Sequence, residues 1–180
     1  QASLKAAQAL SWESVAGMLE KVYKEVYAST VRKPLGILVL SPFFRPNTGG
    51  VETHLNDLIN YLRSRGHFIY IVTYQPLTTK ASGPIIEGGG DYVVVRFPWF
   101  GHNIFHTLEK YPLLQFLYLT PTLFVGTLFF LIFRSRRINT IHAHGLTAAL
   151  ITNVLSKFFR GKKLVVSMHA VYGFKEKRSL

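Results

Sequence analysis

Residues 35–58, LGILVLSPFFRPNTGGVETHLNDL, decide the fold of this 180-residue chain. The apolar run at 35–40 is typical of a strand that is buried on both faces. Gly49 and Gly50 then precede a helical stripe that ends near Arg65-Gly66, a typical helix C-terminus. The stripe consists of Val51, Leu55, Leu58, Ile59 and Leu62. The stretch therefore predicts a strand, a glycine-containing loop and a helix in succession.

The rest of the chain continues this alternation. Strands are predicted at 68–73, 92–97, 139–144 and 163–169, a helix at 146–159 and a loop over 75–91. Alternating strands and helices favour parallel strands with right-handed crossovers. The sequence thus predicts an α/β fold: a Rossmann-like parallel sheet with helices on both faces.

An amphipathic helix is predicted ahead of this domain, at residues 11–27. Its apolar residues recur at the three-and-four spacing of one helical face, and Ser11 is the expected N-cap. They are Trp12, Val15, Ala16, Leu19, Val22, Tyr23, Val26 and Tyr27. Residues 28–34 are interpreted as a linker.

One apolar segment competes with a purely soluble interpretation. Residues 113–133 carry no charge and end at the basic sequence RSRR (134–137), a length sufficient for a membrane span. A single crossing would separate the strands at 92–97 and 139–143, which belong in one sheet. We therefore expect a pair of helices that partly cover the sheet and partly form an interfacial apolar surface beside basic residues. An ordinary buried crossover helix is the alternative.

The charge of the chain points to an anionic partner. The formal net charge is +12, from 21 Lys and Arg against 9 Asp and Glu. Nucleic acid, a membrane surface or phosphorylated substrates fit this charge, but no RNA-binding signature appears, so nucleic acid is not expected. The absence of cysteine excludes disulfides, zinc–thiolate sites and thiol nucleophiles, and fits a reducing compartment. Residues 1–10 lack the pattern of a secretory signal.

The glycines and several histidines are the candidates for chemistry. Gly49 and Gly50 follow the first strand, where bare backbone N–H groups can approach a phosphate; a tight turn with positive φ is the alternative. The pattern is neither GxGxxG nor a P-loop. His142, His144 and His169 end strands and are expected at the same sheet edge. No carboxylate lies close in sequence to complete a metal site, so no metal is expected.

Three segments together carry a family resemblance: SPFFRPNTGGVETH (41–54), IHAHG (141–145) and HAVYGF (169–174). They resemble the N-terminal domain of family-four retaining glycosyltransferases of the GT-B fold and, within that family, its phosphatidylinositol N-acetylglucosaminyltransferase branch. The resemblance covers roughly residues 35–174. Met168 departs from the aspartate that the family has before its histidine.

The resemblance implies a set of site residues. The glycine loop, Gly49 and Gly50, would lie against the diphosphate of the donor, and His169 would be the catalytic residue that hydrogen-bonds the reacting sugar. The other cleft or acceptor-side residues would be Asn47, Glu52, His54, His142, His144 and Tyr172. A nucleotide-sugar would be the substrate, with no cofactor and no metal.

The resemblance also implies a domain organisation. Residues 1–29 resemble the tail helix of the family, which usually lies at the C-terminus, and residues 35–174 the acceptor-side domain. Residues 175–180 would form a basic tail towards a C-terminal donor domain. The Arg/Lys pair and the E-x7-E motif of that donor domain are absent from these residues, so the chain alone is expected to be inactive or weak.

The leading functional hypothesis is therefore half of a membrane-associated glycosyltransferase. It would move a sugar from a UDP-sugar, such as UDP-N-acetylglucosamine, to a lipid or glycan acceptor, in glycolipid synthesis of the GPI-anchor kind. It would be cytoplasmic and peripheral, touching the membrane through 113–137. The alternatives are a non-catalytic Rossmann-like module that binds anionic membranes and another Rossmann enzyme, which the missing cofactor fingerprint disfavours.

Overall fold

A computed structural model describes residues 12–26, 34–76, 82–99, 104–108 and 110–168. The strands are β1 (Gly36–Leu40), β2 (Phe68–Tyr74), β3 (Ile86–Gly89), β4 (Tyr92–Phe97), β5 (Thr140–His144) and β6 (Lys163–Ser167). The helices are α1 (Trp12–Val26), α2 (Gly50–Ser64), α3 (Phe105–Leu108), α4 (Pro112–Arg134) and α5 (Leu146–Phe158), with a 3₁₀ turn at Ser135–Arg137.

The strands form one sheet in the order β3-β4-β2-β1-β5-β6. Neighbours are parallel except β3, which pairs antiparallel with β4. All of β1 is buried, and its alternating side chains face opposite sides. Ile37 and Val39 pack in a cluster with residues of α1 and α2, whereas Leu38 and Leu40 pack with residues of α4 and α5. The predicted α/β fold with helices on both faces is confirmed.

The amino end of β1 is closed by the chain itself. The backbone N–H of Gly36 donates to Asn139 Oδ1 at 2.9 Å, and the N–H of Asn139 donates to the Gly36 carbonyl at 2.8 Å. A Cβ atom added to Gly36 would lie 1.7 Å from the carbonyl oxygen of Arg137. Only glycine therefore fits at this junction between β1 and the segment that enters β5.

The prediction of a loop over 75–91 is wrong in part, because β3 lies within it. Its sequence, IEGG, is short and glycine-rich, which hides it from a periodicity argument. The strand is held by Glu87, which accepts a hydrogen bond from the buried Arg96 at 2.6 Å and pairs with Arg45 at 3.1 Å. Two cations on one carboxylate thus fix this edge of the sheet.

The expected pair of helices over 113–133 is also wrong, since α4 is one continuous helix that includes Pro121. A proline inside a helix removes one backbone hydrogen bond, at a cost of about 3 kcal/mol. A stripe of buried residues with helical spacing continues past the proline and holds both halves on the sheet. Its members are Leu119, Leu123, Gly126, Thr127 and Leu131. Tyr74 adds a hydrogen bond from its hydroxyl to the Leu119 carbonyl at 2.6 Å.

The N-terminal helix is confirmed as α1, whereas its expected cap, Ser11, lies outside the described residues. Ala16 and Tyr23 of its apolar stripe are buried in the core. Val22 was expected on the same face but is exposed, because it lies at the margin of the stripe. Glu20 is also buried and accepts a hydrogen bond from the Tyr61 hydroxyl of α2 at 3.0 Å. The packing on α2 brings α1 to the carboxyl edge of the sheet.

Candidate active site

Three chain segments meet at the carboxyl edge of the parallel strands. The loop from β1 leads to Gly49 and α2, β5 ends at His144, and β6 ends at Ser167. Ligands of open α/β sheets bind at this edge. The predicted convergence of a glycine loop with strand-end histidines therefore holds for the parts of it that the structure describes.

Hydrogen bonds to its backbone carbonyls hold the loop that carries the glycines in place. Arg96 donates from Nη2 to the Arg45 carbonyl at 3.1 Å, and the Ser41 hydroxyl donates to the Phe43 carbonyl at 2.7 Å. Asn47 is buried and its N–H donates to the Phe44 carbonyl at 3.2 Å, closing a turn. The loop is thus an anchored support for the start of α2.

The two glycines do not need positive φ. Gly49, the N-cap of α2, has φ 177° and ψ 171°, an extended backbone, and Gly50 is the first residue of the helix. A tight turn with positive φ is therefore the wrong explanation for this pair. A Cβ on Gly49 would lie 2.5 Å from the Glu52 carboxylate, whereas a Cβ on Gly50 would meet no described atom within 4 Å. As far as the described residues show, the space beside Gly50 is open.

Three histidines lie together behind this opening. The ring centroids of His142 and His144 are 4.1 Å apart, and those of His54 and His144 are 6.3 Å apart. His142 and His144 share one face of β5, as a strand requires for residues two apart. All three rings are buried, His142 completely. The edge of the sheet therefore holds a compact group of imidazoles under the start of α2.

A line of hydrogen bonds connects α1 to the end of β6. The Tyr23 hydroxyl lies 2.5 Å from Nδ1 of His142, and Nε2 of His142 lies 2.8 Å from Oγ of Ser167. Burial raises the pKa of Tyr23 above its ordinary range, so the phenol stays protonated. The line thus joins a buried tyrosine, a buried histidine and a half-buried serine.

An open cleft of about 560 Å³ lies above these groups. It is lined by Val15 and Leu19 of α1, Gly50, Val51 and His54 of α2, and Ser167 and Met168 at the end of β6. The lining residues of α1 are apolar, whereas α2 contributes its N-terminus and the end of β6 contributes the serine hydroxyl. Such a cleft suits a ligand with an anionic or polar end and a less polar body.

The structure brings most of the predicted site residues to this edge. Gly50 and His54 line the cleft, and Glu52 and Gly49 adjoin it. His169 and Tyr172 lie outside the described residues, so their roles stay predictions.

Three predicted site residues lie below the cleft lining rather than in it. Asn47 is buried within the loop turn, and His142 and His144 are buried under the lining. Within the described part of the chain, no group of three or more His, Asp or Glu is placed to hold a metal ion. The metal-independent site also stays a prediction.

Sequence reasoning missed Ser167 and the contribution of α1. Ser167 ends a parallel strand, so the rule that selected the histidines also selects its hydroxyl. Val15, Leu19 and Tyr23 were assigned only to a packing stripe. Periodicity cannot tell that a helix in another part of the chain docks beside the site.

A second surface lies on the other face of the sheet. Among the described helices, α4 alone has the length and composition to cross a membrane, a test that core helices of soluble proteins also pass. Its large exposed apolar side chains are Leu113, Leu114, Leu117, Val125, Phe129, Ile132 and Phe133. Exposed Arg134, Arg136 and Arg137 follow directly. Lys162 donates to the Ser135 carbonyl at 2.6 Å, which brings the basic segment 160–163 beside them.

A family model described as Glycosyltransferase Family 4 matches residues 48–180 of the chain. The chain belongs to glycosyltransferase family 4. The matched region begins beside Gly49 and includes α2, the strand-end histidines and β6. The predicted family is therefore confirmed.

Curated relatives agree with this family 4 assignment. The chain is 28% identical over 149 residues to a phosphatidylinositol N-acetylglucosaminyltransferase subunit of Homo sapiens, covering 80% of this chain and 27% of the relative. It is also 28% identical to the corresponding protein of Arabidopsis thaliana, which carries the same name, covering 81% and 30%. The family 4 chain thus spans less than a third of the length of these relatives.

The fold is also similar to that of a solved enzyme structure. Sucrose-phosphate synthase from Thermosynechococcus elongatus matches with a TM-score of 0.50 and 14% identity, over 81% of this chain and 37% of that one. At this identity the likeness concerns the fold alone. It agrees with the prediction that the family 4 chain forms one Rossmann-like half of a GT-B architecture.

Proposed function

We propose that this chain is the acceptor-side half of a retaining glycosyltransferase. It contributes to the transfer of a sugar from a UDP-sugar, such as UDP-N-acetylglucosamine, to a lipid or glycan acceptor. Family 4 membership supports sugar transfer, and the similarity to proteins named as phosphatidylinositol N-acetylglucosaminyltransferase subunits supports this donor and a phospholipid acceptor.

The observation that carries the proposal is the space beside Gly50 at the mouth of the cleft, which no described residue fills. Neither glycine is required by backbone conformation, and among the described residues the missing side chain of Gly50 leaves room for a ligand. The diphosphate of the donor fits there, because the first N–H groups of α2 point outwards and the helix dipole favours negative charge.

The same N–H groups would act during the reaction. Negative charge grows on the leaving diphosphate as its bond to the sugar breaks, and fixed dipoles aimed at that position lower the barrier. Glu52 covers the Gly49 side of the helix start, so the diphosphate approaches from the Gly50 side. His169, two residues beyond Ser167, is the group proposed to hydrogen-bond the reacting sugar, without a metal ion.

The proposed unit is completed by a C-terminal donor domain. The chain covers 27–30% of the relatives' lengths, and it lacks the Arg/Lys pair and the E-x7-E motif that the family resemblance assigns to that domain. We therefore propose that the chain alone binds the diphosphate weakly and transfers little sugar. Partner subunits are proposed as well, because the relatives are named as subunits.

The direct test is transfer of labelled sugar from a panel of nucleotide-sugars to phosphatidylinositol vesicles. The natural protein that contains this chain is used, with His169→Ala in parallel and with His106→Ala, at an exposed site on α3, as the matched control. Transfer that needs the donor, collapses in His169→Ala and persists in His106→Ala is the expected result. A folded protein that transfers from no donor would contradict the proposal.

The surface of α4 supports a peripheral position on the cytoplasmic face of a membrane. Its exposed apolar side chains would enter the interface while the arginines at 134–137 meet anionic headgroups. A non-catalytic membrane-binding module is the second candidate function, and it rests on this surface alone.

Vesicle flotation tests this surface. Binding to phosphatidylserine vesicles should weaken with salt and with the double change Phe129→Ser and Phe133→Ser, whose side chains are 56% and 77% exposed. Folding should be unchanged, because neither ring is buried. Ile85→Ser and Ile86→Ser, at the β3 edge of the sheet and each 66% exposed, are the matched controls. Binding to vesicles without any affinity for nucleotide-sugars would favour the module over the enzyme.

A further inference from the structure

The hydrogen bonds from Tyr23 through His142 to Ser167 run in one donor-to-acceptor direction, which the surroundings of Tyr23 determine. Tyr23 is completely buried, and among the described residues its hydroxyl has one hydrogen-bond partner, Nδ1 of His142. If the hydroxyl accepted a hydrogen bond from Nδ1–H, its own hydrogen would be buried without a described acceptor, which costs about 1–3 kcal/mol. The Tyr23 hydroxyl therefore donates to Nδ1.

The direction of the hydrogen bond at Nδ1 determines which nitrogen of the His142 ring carries the proton. A neutral imidazole that accepts at Nδ1 carries its proton on Nε2. Nε2 of His142 lies 2.8 Å from Oγ of Ser167, so it donates to that oxygen. A hydroxyl that accepts from an N–H keeps its own hydrogen for another acceptor. Among the described residues, the Ser167 hydroxyl has no other side-chain partner, and Ser167 lines the cleft.

We propose that Ser167 is a ligand-binding residue whose hydroxyl is set as a hydrogen-bond donor into the cleft, and that Tyr23 and His142 are the positioning residues that set it. The inference rests on the proposed function, because it assigns the acceptor to a phosphate oxygen of the donor diphosphate. That oxygen would lie between the start of α2 and the end of β6, two walls of the same cleft.

Helix α1 thereby has a role in the site. Val15 and Leu19 form a wall of the cleft, and Tyr23, one and two turns further along the same helix, begins the hydrogen-bond line. A helix that only packed on α2 would not need a polar atom against a completely buried histidine. The docking of α1 and the orientation of Ser167 are thus coupled through one imidazole.

The first arm of the test determines the tautomer of His142 by two-dimensional ¹H–¹⁵N spectra of the histidine rings in the whole chain. The expected result is a neutral ring with its proton on Nε2. In Tyr23→Phe, which keeps the shape of the ring, the tautomer should become mixed. A proton on Nδ1, or a doubly protonated ring, in the unaltered chain would overturn the proposal whether or not any ligand binds.

The second arm measures binding of inorganic pyrophosphate by titration calorimetry. Ser167→Ala should weaken binding about tenfold, as loss of a hydrogen bond to a charged acceptor does, whereas Ser167→Thr should stay within about twofold. Tyr23→Phe should weaken it about twofold, because the serine then populates two orientations. Ser156→Ala, on the surface of α5 and away from the cleft, is the matched control.

The outcomes separate this inference from the proposed function. Pyrophosphate binding that Gly50→Leu abolishes but Ser167→Ala leaves intact would overturn the role of Ser167 and leave the diphosphate site standing. Binding that neither variant changes would place the anion elsewhere on this basic chain and overturn both. A stable Ser167→Ala chain with weakened binding and a Ser167→Thr chain with restored binding would support the proposal.

Discussion

Gly36 begins β1 and Gly50 begins α2, and the two positions hold glycine for opposite reasons. A Cβ on Gly36 would lie 1.7 Å from a backbone oxygen, whereas a Cβ on Gly50 would meet no described atom within 4 Å. The amino edge of the sheet is closed by the chain, whereas the described residues leave the carboxyl edge open above buried histidines. A glycine therefore marks a site only where the space that it leaves is unfilled.

The largest expected effect is at the closed edge. Gly36→Ala should lower the free energy of unfolding by about 3 kcal/mol or more, because the methyl group forces backbone atoms apart. Urea unfolding followed by circular dichroism measures the change. Gly17→Ala on α1, where the nearest atom is the Tyr61 hydroxyl at 3.9 Å, is the control and should be neutral or stabilising. A stable Gly36→Ala chain would remove the contrast between the edges.

The next largest effect is expected at the ion pair of Glu87 with Arg96, which supports the glycine loop at the open edge. Glu87→Gln should destabilise the chain by about 2 kcal/mol, because it leaves the charge of Arg96 buried with a weaker acceptor, although Glu87 itself is 31% exposed. Since Arg96 also holds the Arg45 carbonyl of the glycine loop, pyrophosphate affinity should fall together with stability. Asp91→Asn removes an exposed ion pair with Arg63 and serves as control. Equal small losses in the two variants would show that the buried pair does not support the loop.

A smaller effect is expected at the anchor of α4, on the face away from the cleft. Tyr74→Phe removes the hydrogen bond to the Leu119 carbonyl and should cost about 1 kcal/mol of stability without changing pyrophosphate affinity. Burial raises the pKa of Tyr74 to about 12, so its hydroxyl is a donor throughout the physiological range. Thermal unfolding measures the cost. A change in affinity instead would mean that the two faces of the sheet are coupled.

The smallest expected effect is an increase in pyrophosphate affinity. Glu52 places its carboxylate against Gly49 at the start of α2, where it opposes an incoming anion. Glu52→Gln should strengthen pyrophosphate binding by about threefold, and Asp57→Asn, on the same helix beyond the first turn, should change it less. Calorimetry at two salt concentrations separates this local effect from the net charge. Weaker binding by Glu52→Gln would mean that the carboxylate helps to shape the site.

The fold was predictable wherever the burial of one or both faces of an element requires a regular placement of apolar residues in the sequence. β1 is apolar throughout because both faces are covered, and α2 carries a stripe because one face is covered. β3 was missed because IEGG depends on pairing with β4 and on Arg96, which are contacts distant in sequence. The continuity of α4 through Pro121 was missed because sequence rules count the free energy that a proline costs a helix. They do not count the packing on the sheet that offsets this cost.

The site was predictable to the extent that it follows from topology. Parallel strands place their carboxyl ends together, so the glycine loop, His142 and His144 could be assigned to one edge from the sequence. The contact between Tyr23 and His142 could not, since 119 residues separate them and docking of α1 decides it. The burial of His142 likewise depends on α1, and it moves this residue from the lining of the cleft to its support.

One paired measurement tests whether the space beside Gly50 is kept open for the diphosphate of a nucleotide-sugar. UDP-N-acetylglucosamine and pyrophosphate are titrated into the chain, into Gly50→Leu and into Gly89→Leu, a glycine at the far edge that also meets no described atom within 4 Å. Both variants should keep the stability of the unaltered chain to about 0.5 kcal/mol. We expect Gly50→Leu to weaken binding at least about tenfold and Gly89→Leu to leave it unchanged. Equal affinity in all three proteins would contradict this expectation.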